Sequence, residues 1–117
     1  MIDSQALCKE LQAFAAERDW EQFHTPRNLA SSIAVEAAEL LELFQWSRGQ
    51  QWKELEDETL KGRTAEELAD ILLYLLRFAD LAGIDLEQAA RQKMQANAHK
   101  YPAAQFHGSD RKYNEPV

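Results

Sequence analysis

The sequence contains one cysteine, four glycines and three prolines in 117 residues. Because Cys8 has no second cysteine to pair with, the chain cannot form an internal disulfide or a thiolate metal cluster. Any metal must therefore be held by oxygen or histidine ligands. The scarcity of glycine and proline, beside abundant alanine, leucine and glutamate, favours helices over strands.

Long apolar runs and an excess of positive charge are also missing. No stretch approaches the roughly 18 apolar residues that a membrane helix needs, and the chain does not open with a basic segment followed by an apolar one. We therefore expect a soluble, cytoplasmic protein without a membrane partner. With a net charge of −7, the chain lacks the positive charge typical of proteins that bind long nucleic acids, and we expect no such partner.

The chain does contain enough apolar material for one helical domain, since 45% of its residues are hydrophobic. Apolar spacing and capping signals, with Thr25 and Asp85 as expected caps, predict four main helices, over about residues 4–18, 25–46, 64–82 and 85–101. A short helix or a connector is expected between the second and the third. Thr64 and Glu67 fit a capping box at the start of the third helix. We expect a single domain over residues 1–102 and a polar tail over residues 103–117.

One glutamate of the second predicted helix lies where an apolar residue is expected. At about 100° per residue, Glu36 falls in the middle of the apolar stripe that runs from Leu29 to Leu43. Glu39 lies at the edge of this stripe, whereas Glu42 projects to the other side. Because an ionised carboxylate is rarely buried without a partner, we expect something to compensate Glu36.

The third predicted helix has a similar anomaly. Twelve of the fifteen residues over 68–82 are apolar, and Asp70 is one of the three exceptions. Glu67, Asp70 and Tyr74 share a wedge of roughly 60°. The main core face is expected at Leu68, Leu72, Leu75 and Ala79. Because apolar residues flank the wedge as well, we expect the helix to be covered on two sides, the second by a loop or a partner subunit.

Two pairs of carboxylates, Glu36 with Glu39 and Glu67 with Asp70, are each three residues apart on adjacent helical turns. If the two helices pack antiparallel, the four acids can face one or two divalent cations. Mg²⁺ and Mn²⁺ prefer such oxygen ligands, and helical bundles hold sites of this kind. Two alternatives stay open: Glu67 can close the capping box, and Glu39 can be a surface acid.

A row of polar residues on the fourth predicted helix suits phosphate oxygens. Lys93, Asn97 and Lys100 follow one another on a single stripe, and Tyr101 comes next. The alternative is that the lysines offset the dipole at the end of the helix.

Residues near the two ends of the second helix have several interpretations. Trp20 and Trp46 can pack in the core or stack on a base. His24 can hydrogen-bond a base or sugar, bind a metal or have a purely structural role. Arg27, in the first turn of the helix, is badly placed for the helix dipole, which suggests a phosphate or an acidic partner.

Taken together, these segments resemble a known family. Residues 34–46, AVEAAELLELFQW, and residues 66–74, EELADILLY, resemble the MazG-like all-α nucleoside triphosphate pyrophosphohydrolases, with their ExxE and ExxD motifs. Within that superfamily, the chain resembles the dCTP pyrophosphatases more closely, through residues 17–24, ERDWEQFH, residues 26–29, PRNL, and the ending with Lys93, Asn97 and Tyr101-Pro102.

The resemblance implies an all-α four-helix bundle of the MazG-like type, completed by oligomerisation into a homodimer or a homotetramer made of two dimers. It implies hydrolysis between the α and β phosphates of a nucleoside triphosphate, such as dCTP or a modified dCTP, to the monophosphate and pyrophosphate. The metal ligands and catalytic residues implied, with Mg²⁺ or Mn²⁺ as the cofactor, are Glu36, Glu39, Glu67 and Asp70.

The resemblance also implies a substrate site and a biological role. Lys93 and Asn97 would contact the triphosphate, and the role would be to remove unwanted nucleotides from the nucleotide pool. The base pocket implied consists of Trp20, His24, Trp46 and Tyr74. The competing hypothesis is a non-catalytic helical module whose acids bind a metal or nucleotide for regulation.

Overall fold

The computed structural model describes residues 1–47 and 51–115 of the chain, and within them the regular elements are all helical. This confirms the predicted all-α class. None of the helices in these ranges has the length and apolar content needed to cross a membrane. Two short 3₁₀ turns cover Glu21–Phe23 and Trp52–Glu56. The α-helices are α1 (Ser4–Glu17), α2 (Pro26–Glu42), α3 (Glu58–Ala82), α4 (Leu86–Lys100) and α5 (Ala103–Phe106).

Side-chain caps start α2 and α4 where the sequence predicts them. Thr25 Oγ1 accepts a hydrogen bond from the Asn28 backbone N–H at 3.2 Å, and Asp85 Oδ1 accepts one from the Gln88 N–H at 3.0 Å. Each bond satisfies one of the N–H groups that the first helical turn leaves unpaired. The end of α2 at Glu42 is earlier than expected, and residues 48 and 49 of its predicted stop lie outside the described ranges.

Helix α3 begins six residues earlier than predicted. Asp57 Oδ1 accepts hydrogen bonds from the N–H groups of Thr59 and Leu60, at 3.0 and 3.5 Å. Thr64, the expected cap, lies inside the helix, where its hydroxyl donates to the Leu60 carbonyl at 2.7 Å. The predicted capping box is therefore wrong, because an earlier aspartate already caps the helix. It follows that Glu67 has no cap to close.

Residues Met1–Gly83 form one compact unit. In this unit α3 packs against both α1 and α2. Leu68 and Leu75, expected in the core, are 52% and 37% exposed, although the 3₁₀ turn Trp52–Glu56 also contacts α3. Among the described residues of this unit, the buried apolar ones are Ala15, Leu29, Leu76 and Ala79.

A second compact unit begins at Ile84 and contains α4 and α5. After α4, the ring of Tyr101 makes edge contacts with Phe106 and Tyr113, with centroids 4.9 and 6.1 Å apart. The guanidinium of Arg111 lies 4.3 Å from the centre of the Phe106 ring. The segment expected to be a polar tail therefore contains a short helix and an aromatic cluster.

Candidate functional site

Helices α2 and α3 bring three carboxylates together. Glu36 on α2 and Glu67 and Asp70 on α3 each present one carboxylate oxygen, and the three oxygens lie within 4.8 Å of one another. Glu36 faces α3 because it interrupts the apolar stripe that begins at the buried Leu29. Glu67 and Asp70 share a face of α3 because they are one helical turn apart. We call these three residues the acidic cluster.

Two oxygens of the acidic cluster are buried without compensation. Within the part of the chain that the structure describes, Glu36 Oε2 and Glu67 Oε2 are inaccessible to solvent and have no hydrogen-bond partner. Burying an ionised carboxylate in this way is costly unless a cation or a proton lies beside it. A hard divalent cation, which takes carboxylate oxygens as ligands, fits this donor set.

The electrostatics of the acidic cluster also favour a bound cation or proton. Desolvation, hydrogen bonding with Glu39 and Glu67 and the charges of Glu39 and Asp70 raise the pKa of Glu36 to about 7. Desolvation also raises the pKa of Glu67, although a hydrogen bond with Glu36 acts in the opposite direction. Without a cation, the cluster therefore holds protons at a pH where isolated carboxylates have lost them.

Glu39, the fourth predicted ligand, lies at the rim of the acidic cluster. Its side chain is exposed, yet it is close enough to hydrogen-bond with both Glu36 and Glu67. One face of the pair of helices thus carries all four predicted acids, three of them with converging oxygens.

The aromatic residues predicted to bind a base differ in their exposure and in their ring contacts. Trp20 is 45% exposed, and its ring meets the edge of Phe14 with centroids 5.6 Å apart. Tyr74 is half-buried, one helical turn after Asp70. Trp46 is 91% exposed and makes no ring contact within residues 1–47 and 51–115. Its predicted role in the pocket stays a prediction.

Arg77, which the sequence analysis did not single out, lies next to the predicted His24. It is only 4% exposed, and its Nε–H donates to His24 Nδ1 at 3.1 Å. Together the two residues line a cavity of about 360 Å³. The signal in the sequence was present: Arg77 is one of the three residues that interrupt the apolar run 68–82.

The remaining predicted substrate residues are distributed between the two units. Arg27 is exposed in the first turn of α2. Lys93 and Asn97 are exposed on α4, in the second unit. Lys100 Nζ lies 5.1 Å from the centre of the Tyr113 ring, so this lysine makes a cation–π contact within the second unit. The contribution of these residues to a binding site stays a prediction.

Comparison with known proteins agrees with this arrangement. The model of the MazG-like family matches residues 31–115, which include the whole acidic cluster and most of the chain. The chain belongs to the MazG-like family. The resemblance inferred from the ExxE and ExxD motifs is thereby confirmed.

Two groups of relatives are similar over most of this MazG-like chain. It is 46% identical to human and 45% identical to bovine dCTP pyrophosphatase 1, over 87% of its own length. The matched part makes up 61% of these two relatives, which are longer. A solved pyrophosphatase from Archaeoglobus fulgidus DSM 4304 is 43% identical with a TM-score of 0.79, covering 87% of this chain and 94% of that one.

Proposed function

We propose that this chain is a nucleoside triphosphate pyrophosphohydrolase, which cleaves between the α and β phosphates to release a monophosphate and pyrophosphate. The observation that carries the proposal is the acidic cluster, with its three converging oxygens and two uncompensated buried oxygens. The names of the relatives, dCTP pyrophosphatase and pyrophosphatase, support this activity. They also support dCTP, or a modified dCTP, as the preferred substrate.

The metal ligands in this proposal are Glu36, Glu67 and Asp70, with Glu39 beside them. Mg²⁺, or Mn²⁺, is the proposed cation. When bound, such a cation neutralises polyphosphate charge and makes water a better nucleophile. The protein contributes the fixed carboxylates: Glu36 and Glu67 are held by the packing of α2 on α3, so their oxygens converge before any ligand arrives.

Glu39 is the proposed acceptor of the proton that water loses. Its carboxylate is exposed, so a substrate and its attacking water can approach it. It also lies close enough to Glu36 and Glu67 to raise the pKa of both, which places it at the rim of the acidic cluster. General-base catalysis needs these two properties, access to the water and a position beside the reacting groups.

Nucleotide binding is assigned to the residues that the sequence predicts for it. Tyr74 is one turn from Asp70 on α3, where a sugar or base can lie against its ring. The proposed base-binding residues are Trp20, His24, Trp46 and Tyr74. The proposed phosphate-binding residues are Arg27, Lys93, Asn97, Lys100 and Tyr101.

The proposed assembly is a homodimer or a homotetramer made of two dimers. It is supported by the apolar side chains of α3 that the first unit leaves exposed, Leu68 and Leu75. The proposed role is the removal of unwanted nucleotides from the cytoplasmic pool.

The activity is tested by measuring pyrophosphate and monophosphate release from canonical and modified nucleoside triphosphates, with Mg²⁺ and then with EDTA. We expect release that EDTA abolishes, fastest with dCTP or a modified dCTP. Failure to hydrolyse any triphosphate, by a folded protein that still binds Mg²⁺, would contradict the proposal and favour the regulatory binding module instead.

A further inference from the structure

The cavity beside His24 and Arg77 shares no residue with the acidic cluster. It has a volume of about 360 Å³ and lies entirely within the first unit. Its walls come from α1, from the 3₁₀ turn with the residue after it, and from the last turns of α3. The lining residues are Gln12, Glu21, His24, Arg77, Asp80 and Leu81.

Arg77 is a buried cation with a neutral partner. Only 4% of its surface is exposed, and in the described ranges no carboxylate oxygen comes within 4.0 Å of its guanidinium nitrogens. Arginine stays charged in proteins and is almost never buried unpaired. Its one hydrogen bond to a side chain goes from Nε to His24, at 3.1 Å. Four of its five N–H donors therefore remain for backbone groups, water or a ligand.

The same hydrogen bond fixes the chemical state of His24. Since Nδ1 accepts a hydrogen bond from Arg77, it cannot carry a proton itself, and the proton of the neutral ring must be on Nε2. Desolvation and the charge of Arg77 lower the pKa of His24, with Glu21 acting in the opposite direction. At neutral pH His24 is therefore an uncharged ring that donates through Nε2.

The charges around the cavity indicate what kind of ligand it accepts. Arg77 is positive, whereas Glu21 and Asp80 are negative, so the lining has one net negative charge and repels a phosphate. The cavity is instead suited to a neutral ligand group that has hydrogen-bond acceptors for Arg77 and His24 and a hydrogen-bond donor for one of the carboxylates. The Watson–Crick edge of cytosine has this pattern: O2 and N3 accept, and the exocyclic amine donates. Uracil and thymine have an N3–H donor where cytosine has an acceptor.

The position of Arg77 on α3 relates the cavity to the acidic cluster. Arg77 comes seven residues after Asp70, which places it on the same face of the helix and about 10 Å further along the axis. Tyr74 lies between the two on that face. This separation is comparable with the span of a nucleoside from its 5′ phosphate to the outer edge of its base.

We propose that this cavity receives the Watson–Crick edge of cytosine, with His24 and Arg77 donating to the base and Asp80 accepting from its amine. Arg77 is at the same time the positioning residue that holds His24 as an Nε2–H donor. This inference rests on the proposed function, since it explains how the hydrolase selects a cytosine nucleotide. It assigns base selection to α3 residues outside both motifs.

The first experiment compares dCTP with dUTP as substrates of two variants. Asp80 is exposed, so Asp80→Asn is expected to fold, and its new amide N–H can donate to uracil O4. We expect the ratio of kcat/KM for dCTP to that for dUTP to fall by about tenfold or more. In Arg77→Met we expect KM for dCTP to rise about tenfold or more while kcat changes little. Arg91→Met is the control, because Arg91 is exposed on α4 and forms an ion pair with the exposed Glu87.

The pH profile separates positioning from simple structural support. The charged groups that act on His24 are Arg77 and Glu21. Asp80 also lines the cavity, and the charges of Asp80 and Arg77 act on the pKa of the Cys8 thiol of α1. Without Arg77, the pKa of His24 should return towards its ordinary value of 6.5. KM for dCTP in Arg77→Met should then depend on pH around that value, unlike the wild type.

Two measurements on the wild-type protein do not depend on turnover or on the folding of a variant. Long-range ¹H–¹⁵N NMR spectra should report the Nε2–H tautomer of His24. Titration with dCMP should shift the His24 signals, and dUMP should shift them much less. An Nδ1–H tautomer, equal responses to dCMP and dUMP, or an unchanged dCTP to dUTP ratio in Asp80→Asn would overturn the inference. Absence of all hydrolysis, with the dCMP response intact, would instead overturn only the proposed function.

Discussion

Glu36 is a carboxylate fixed inside an otherwise apolar helix face. Its neighbours on that face, Leu29 among them, are buried or half-buried, and its Oε2 is buried without a hydrogen-bond partner among the described residues. The proposed role as a metal ligand would account for a carboxylate at this position.

The first residue-scale prediction is that Glu36→Gln abolishes most activity and preserves the fold. Glutamine has nearly the same volume but no charge, so packing is kept while a metal ligand is weakened. We expect kcat/KM to fall by roughly 100-fold or more, as when one group that stabilises a transition state is lost. Calorimetry should show weaker Mg²⁺ binding, and circular dichroism an unchanged helix content. Glu42→Gln, an exposed residue of the same helix, should behave as wild type; equal losses in both variants would contradict the assignment.

The second residue-scale prediction concerns the stability of the metal-free protein. The pKa of Glu36 is raised from 4.5 to about 7 on folding, and the pKa of Glu67 is raised as well. Because the folded state holds these protons more tightly, their contribution to stability is fully present below pH 4.5 and is lost as pH rises to about 7. We therefore expect the difference in Tm between the wild type and Glu36→Gln, both measured in EDTA, to change with pH. The Tm of the wild type should fall relative to that of the variant as the pH rises over this range. Saturating Mg²⁺ should reverse the trend, and parallel Tm curves for the two proteins in EDTA would contradict it.

At the scale of elements, the N-terminus of α3 depends on Asp57. Its carboxylate accepts two backbone hydrogen bonds at the start of the helix, so we expect Asp57→Ala to destabilise the fold by ~1 kcal/mol, or about 3–5 °C in Tm. Mg²⁺ affinity should not change, because the acidic cluster begins more than two turns further along the helix. Glu56→Ala, which removes an exposed negative charge from the preceding residue, is the control. Equal Tm shifts in the two variants would show that charge, and not capping, is responsible.

The caps also show what could be predicted about the elements from the sequence. Thr25 and Asp85 were identified because each precedes a clear apolar period, and no earlier capping residue competes with either. Thr64 was misread because the residues before it are charged and irregular, which hid the first two turns of α3. Local sequence patterns thus predict a helix start that coincides with the start of an apolar period. They do not predict a helix start that lies in a charged segment before that period.

The candidate site, too, could be predicted only in part from local sequence patterns. Glu36, Glu67 and Asp70 could be found because a carboxylate on an apolar face is anomalous in one helix taken alone. Arg77 was equally anomalous, yet its meaning depends on His24, which lies 53 residues earlier and contacts it only in the folded chain. A partner that distant has no signature in a single sequence.

At the scale of the whole molecule, charge opposes the proposed function unless a cation takes part. The chain carries a net charge of −7, and the acidic cluster adds local repulsion to any polyphosphate. Binding of an anionic nucleotide must therefore be coupled to binding of the cation. Such coupling would allow an acidic protein to act on a polyanion, as proposed, and it agrees with the raised pKa of Glu36 in the metal-free cluster.

The whole-molecule prediction is that a second copy covers the exposed apolar face of α3. Leu68 and Leu75, seven residues apart on one face, are 52% and 37% exposed in the single chain. A patch of exposed leucines on one helix face is suited to an interface. We expect light scattering to show a homodimer or homotetramer, and Leu75→Lys to shift it towards monomers with a lower Tm. Gln95→Lys, which adds the same charge at an exposed position of α4, should leave the assembly intact. A wild-type monomer at micromolar concentration, or an unchanged oligomer in Leu75→Lys, would show that this face is not where the copies meet.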